Sequence, residues 1–119
     1  MKYDLGSVQG PAGPQGPAGP NAIIDTRVDG TWGYVKYANG IMEQWGMGAV
    51  PVNQNNYELR LGMPYINDQY NVQLVKHNGK NNNDIESGDT YSDKFIVKIR
   101  GVVDTNNTPF YWRTIGKYK

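Results

Sequence analysis

On either side of Asn39-Gly40 the chain changes character residue by residue in the stretch WGYVKYANGIMEQWG. That is the period of a β-strand, whose successive side chains leave opposite faces of a sheet. An Asn-Gly pair between two such runs predicts a hairpin with a two-residue loop, because both loop positions of a type I′ turn need positive φ. The register that follows sets Ala38 against Ile41, Lys36 against Glu43, Tyr34 against Trp45 and Trp32 against Met47. One side of the ribbon then carries an ion pair beside stacked rings, and the other carries Val35, Tyr37, Met42 and Gln44.

The alternation returns along the rest of the chain. Tyr57, Leu59 and Leu61 alternate with Glu58 and Arg60, and Tyr70, Val72 and Leu74 with Asn71 and Gln73. Phe95, Val97 and Ile99 alternate with Lys94, Lys98 and Arg100, and Phe110, Trp112 and Thr114 with Tyr111, Arg113 and Ile115. No window has the apolar spacing of a sizeable helix. The intervening HNGKNNNDIESGDTYS and DTNNT are rich in turn formers and read as loops. The fold class expected is all-β, an antiparallel β-sandwich. Tyr34, Trp45, Phe110 and Trp112 sit at alternating strand positions and are read as core or inter-subunit packing.

The N-terminal part departs from this pattern. GPAGPQGPAGPN repeats a three-residue unit with Gly10, Gly13, Gly16 and Gly19 first in each triplet. In a collagen triple helix only glycine fits where three polyproline-II chains meet, so the tract implies three chains. Twelve residues of polyproline II span only about 37 Å, too short a helix to hold a trimer by itself. The organisation expected is an upstream segment over residues 1–9, the end of a preceding region of a longer fibre protein, then a collagen-like tract over 10–21 and a sandwich head over 22–119. The assembly expected is a homotrimer of about 40 kDa whose head supplies most of the association energy through shared apolar surface.

Composition narrows the chemistry. A head of this size is one domain with one core. Fourteen of the 119 residues are Phe, Tyr or Trp, so the core is aromatic. The chain has no cysteine, which removes disulfides and thiolate metal sites. No run approaches the length of a membrane span, and the N-terminus lacks the layout of a signal peptide, so no membrane insertion is expected. A formal net charge of +1 argues against a nucleic-acid partner. Basic residues nevertheless gather at the end of the chain, in Lys94, Lys98, Arg100, Arg113, Lys117 and Lys119. They read either as a face for a phosphate-bearing polymer or as solvated charges that keep sheet edges from pairing.

The aromatic hairpin WGYVKYANGIMEQWG, followed by MPYINDQYNV and a closing FYWRTIG, resembles the C-terminal domain of bacteriophage tail-fibre and receptor-binding proteins, prophage-encoded ones included. The resemblance runs from about Thr31 to Lys119, and its most specific element is the Asn-Gly hairpin ending in Trp45-Gly46, matched by Trp112 and Gly116. It implies a trimeric head, built like the H-type lectins, at the tip of a tail fibre in the virion. Such a head recognises a host surface, commonly a saccharide, and is joined to upstream tail or baseplate proteins. The collagen-like tract would link head to fibre and keep three chains in register.

Catalytic and metal-binding patterns are thin. His77 is the sole histidine, and no Gly-x-Ser-x-Gly elbow accompanies it. Asp84, Glu86 and Asp89 lack the spacing of a calcium loop and lie in one loop, a poor frame for a glycosidase pair. Gly46 and Gly48 precede no helix and form no phosphate cradle. No cofactor, metal or covalent catalysis is expected. The saccharide site expected is the polar loop Asn78 to Tyr91, with His77 at its base, Asp84, Glu86 and Asp89 as hydroxyl acceptors, Tyr91 as a stacking ring and Arg113 from the final strand, a site that a neighbouring subunit could complete. Trp32, at a loop-strand junction, is a second stacking ring. Three functions fit these features: a saccharide-binding attachment head, a structural cap that only trimerises and ends the fibre, and a glycan depolymerase. A collagen-linked head from a spore coat or an innate-immunity protein is a non-phage alternative.

Overall fold

The structure, a computed structural model, describes residues 19–77, 83–101 and 107–119. The collagen-like glycines Gly10, Gly13 and Gly16 and the loop residues Asn81, Asn82 and Asn106 lie outside the described residues. Eight strands follow one another without a helix among the described residues: β1 (Ile23–Asp29), β2 (Trp32–Tyr37), β3 (Ile41–Val50), β4 (Asn56–Arg60), β5 (Asn71–Lys76), β6 (Asn83–Tyr91), β7 (Lys94–Gly101) and β8 (Thr108–Lys117). They form two antiparallel sheets, one of order β1-β2-β3-β8-β5 and one of order β4-β7-β6. The all-β sandwich is as the alternation predicts, and the inward sets of β4, β7 and β8 are those read from it.

The central hairpin differs by one residue. Gly33 pairs with Trp45, Tyr34 with Gln44 and Lys36 with Met42. The loop therefore holds three residues, Ala38 to Gly40, closed by the Gly40 N–H donating to the Tyr37 carbonyl at 3.1 Å. Only Gly40 is left-handed there, at φ 93°, and Asn39 is not. This is a type I turn followed by a glycine bulge, the commonest three-residue hairpin loop, instead of type I′. A slip of one residue turns a strand over. Met42 and Gln44 are consequently fully buried with Tyr34, while Glu43, Trp45 and Met47 pass to the outer face. Trp45 is thus not part of the protomer core, and its ring lies over Gly33, where a Cβ would come within 2.4 Å of it. The predicted Lys36–Glu43 pair is absent. Glu43 instead accepts from Arg113 and, at 2.9 Å, from the Tyr37 hydroxyl, and Lys36 lies over the rings of Tyr34 and Tyr118.

Two strands were not legible as such. β1 follows the tract directly and turns into β2 through a two-residue loop with Gly30 at φ 64° in its first position, the signature of a type II′ turn. β6 occupies the second half of the stretch read as a polar loop, pairing with β7 from Asn83↔Gly101 to Tyr91↔Lys94 with a bulge between Ser87 and Thr90.

The sheets pack on Leu59, Phe95 and Val97 from the small one and Met42, Val50, Phe110 and Trp112 from the large one. Ring area supplies most of this burial, at roughly 25 cal/mol per Å² removed from water. Glycines opposite the rings make room: a Cβ at Gly48 would lie 2.7 Å from Phe110, its register partner. The crossover from β4 to β5 closes one end of the sandwich. Its backbone N–H groups at Leu61, Tyr65 and Ile66 donate to the carbonyls of Asp93, Ser92 and Lys117, and the Tyr65 hydroxyl meets Thr114 Oγ1 at 2.7 Å inside the core.

Candidate functional site: an aromatic cleft at the step between the sheets

Unequal sheets leave a step. β4 packs beside β3 and β6 beside β5, so the three-stranded sheet covers β3, β8 and β5 while β1 and β2 project past its edge. Along that step runs a cleft of about 310 Å³ lined by Trp32, Gly46, Met47, Tyr57, Glu58, Leu59, Arg60 and Trp112. The overhanging β2 supplies Trp32. Edge strand β4 supplies Tyr57 and Leu59 from its inward positions and Glu58 and Arg60 from its outward ones. Gly46 and Trp112 are register partners on adjacent strands, and a Cβ on Gly46 would lie 2.8 Å from the indole.

Each wall is held from behind. Trp32 packs on Gly62, where a Cβ would lie 2.2 Å from its ring, and tilts against Tyr34 at 5.7 Å between ring centres. The Arg27 guanidinium stands 5.9 Å from the Trp32 ring centre. The Tyr34 hydroxyl donates to Asp25 at 3.0 Å, which raises the phenol above its ordinary value and keeps it neutral. Tyr57 tilts against Phe110 and Trp112 meets Phe95 edge-on. The Trp32 indole N–H is buried without a hydrogen-bond partner among the described residues. Such a donor costs about 1–3 kcal/mol when nothing pairs with it.

The rim is polar but nearly charge-balanced. Glu58 accepts from Lys94 at 2.6 Å and lies 3.8 Å from Arg60, which also reaches Asp93 at 3.5 Å. The Lys94 ammonium, hydrogen-bonded to it, holds the Glu58 carboxyl below the usual carboxylate range. A cleft with ring walls and a hydrogen-bonding rim suits a ligand with one apolar face and many hydroxyls.

The residues grouped from sequence fall in several places. Trp32 lines the cleft. Arg113 lies on the outer face of the large sheet, bonded to Glu43, and His77 stands on that face edge-on to Tyr111 at 4.7 Å. Asp84 and Glu86 face out from the small sheet opposite Arg100 and Lys98, with Glu86 3.7 Å from Arg100. The sandwich core therefore separates them from Arg113 within one protomer. Tyr91 ends β6, its ring 5.0 Å from the Lys94 ammonium, and Asp89 sits in the bulge. Among the described residues no three His, Cys, Asp or Glu side chains gather as a metal site. Tyr57, Glu58, Arg60 and Trp112 were not singled out as ligand contacts. The alternation placed Tyr57 and Trp112 inward, but only the strand count of each sheet opens a cleft there.

The profile of the gp53-like tail fibre protein C-terminal domain matches residues 36–117. Among curated protein sequences none matches. Among solved structures, the chain is similar to a C-terminal portion of the R2 pyocin fibre of P. aeruginosa, with TM-score 0.63 and 10% identity over 79% of this chain and 26% of that one. It is likewise similar to the R1 pyocin fibre of P. aeruginosa, with TM-score 0.57 and 10% identity over 78% of this chain and 28% of that one. An N-truncated R1-type pyocin tail fibre gives TM-score 0.57 and 10% identity over 78% and 86% of the two chains. The chain thus spans about a quarter of the larger fibre fragments, and at such identity the likeness is one of fold.

Proposed function

Because this chain belongs to the gp53-like tail fibre C-terminal family, we propose that it is the host-attachment head of a phage or prophage-derived tail fibre, a homotrimer at the fibre tip that binds a bacterial surface saccharide without cleaving it. The observation that carries the ligand class is the cleft: aromatic walls and a polar rim in one concavity of about 310 Å³. The half-buried rings of Trp32 and Tyr57 stack on the apolar face of a sugar, while Glu58 accepts from and Arg60 donates to its hydroxyls. Three equivalent clefts on one fibre tip add avidity, so each one alone needs only modest affinity.

The rim supports binding without cleavage, since among the described residues that line the cleft Glu58 is the one carboxylate. A glycosidase needs two flanking carboxyl groups, one with a raised pKa that delivers a proton. Asp93 is drawn to Arg60 behind the lining, and the Glu58 pKa is displaced the wrong way by Lys94. A neutral saccharide suits the cleft better than a phosphate-bearing one, since Arg60 is already shared between Glu58 and Asp93.

The test is binding of the intact protein to cell-wall extract and to receptor-positive and receptor-deficient cells. The parent should bind the positive cells and extract, little affected by salt. Arg60→Ala and Trp32→Ala should lose about tenfold or more, a loss of one or two hydrogen bonds and a stacking surface. Equal binding to both cell types would leave a fibre cap as the function. Release of reducing ends would make the protein a depolymerase.

A further inference from the structure

The two outer faces of the sandwich differ in kind. On the small sheet the outward positions carry Glu58, Arg60, Lys94, Arg100 and Glu86, tied into ion pairs, together with Lys98 and a half-buried Ile96. On the large sheet the register lines up Val28, Gly33, Trp45, Arg113 and Gln73 in one row across all five strands. The next row on the same face joins Met47, Tyr111 and Val75. Another joins Thr26, Val35, Glu43, Ile115 and Asn71. Val28 is 69% exposed and Val75 63%, and Met47, Tyr111 and Ile115 are exposed too. Several exposed apolar side chains gathered on one sheet face mark a contact surface. Strand β1 is exposed throughout, Ile23 and Ile24 included.

We propose that this face is where copies of the chain meet, with Met47, Val75, Tyr111 and Ile115 packed against the neighbouring copy. The inference rests on the homotrimeric reading and adds the surface that makes the trimer. Its occupant is fixed by the chain itself. The Gly-Pro-x repeat, a sequence pattern that suits three chains, ends at Asn21, two residues before β1 begins. β1 is the edge strand of this same sheet. Chains gathered by such a tract would enter their heads at the large sheets, leaving the charged sheets to water. The Glu43–Arg113 pair sits within the face already joined inside each protomer, so burying it there leaves neither charge unpaired.

The absence of cysteine in the chain makes the test clean. Sedimentation gives the state of the parent, and Val75→Cys and Lys98→Cys proteins are labelled with a maleimide. The expected result is a trimer of about 40 kDa, three times the 13.3 kDa chain, with Val75→Cys labelled at least about tenfold more slowly than Lys98→Cys. Ile115→Asp should lower the trimer's association constant by a similar factor while the circular dichroism of the head is retained. A trimeric parent in which both thiols react alike overturns the assigned face and leaves trimerisation standing. A monomeric parent overturns both.

Discussion

Gln44 and Met63 exchange two hydrogen bonds, the side-chain amide donating to the Met63 carbonyl at 2.8 Å and the Met63 N–H donating back to Oε1 at 3.2 Å. Gln44 is fully buried, so the pair ties the middle of β3 to the crossover that closes the sandwich. Gln44→Leu keeps the volume but strands both Met63 groups. It should cost about 2–4 kcal/mol, measured as a shift of the urea midpoint at constant slope.

Gly40 and Asn39 should separate the two possible hairpin loops. With φ at 93° and the Lys119 carbonyl 3.1 Å from the site of a Cβ, Gly40→Val should cost more than about 1 kcal/mol. Asn39→Ala loses only the bond from the Ile41 N–H to Asn39 Oδ1 at 2.9 Å and should cost about 1 kcal/mol or less. Thermal unfolding of the two variants is the measurement, and a type I′ turn would make both positions costly.

Gly46→Ala should act on stability and binding together. The added methyl meets the Trp112 indole, a rigid ring packed on Phe95, and the overpacking should cost about 1–3 kcal/mol. The same displacement reshapes the cleft lining, so saccharide binding should fall even where the protein is fully folded. Gly19→Ala, with nothing near its Cβ position, should leave the head's stability unchanged.

Acid should remove the contribution of Glu43. The hydrogen bond from Arg113, and after it that from Tyr37, holds this carboxyl below its ordinary range. A group depressed in the folded state contributes stability above its unfolded pKa and loses it as pH falls through the folded one. Glu43→Gln should therefore be less stable than the parent near neutral pH, and the gap should close below about pH 4. Since Arg113 is more than half exposed, the gap should stay near 1 kcal/mol or less in the protomer. Urea titrations of both proteins at the two pH values measure it.

Strand content and facing were legible wherever a strand alternates plainly between water and core. β4, β7 and β8 show their inward residues in the sequence because burial of one face is a local constraint that each strand obeys alone. Loop length is different: whether Asn39-Gly40 makes a two- or a three-residue loop depends on which face of β3 finds partners across the sandwich. Gln44 goes inward because the crossover backbone at Met63 needs its amide, and Trp45 goes outward with it. Nothing within the hairpin states that. β6 reads as a loop because Asp84, Glu86 and Asp89 are polar enough to conceal its period. It is a strand because the edge of β7 offers its hydrogen-bonding groups. The cleft has the same origin. Trp32, Tyr57, Glu58, Arg60 and Trp112 are up to eighty residues apart in the chain. They meet only because a five-stranded sheet overhangs a three-stranded one, and strand order is set by which apolar faces cover one another, a property of the whole fold.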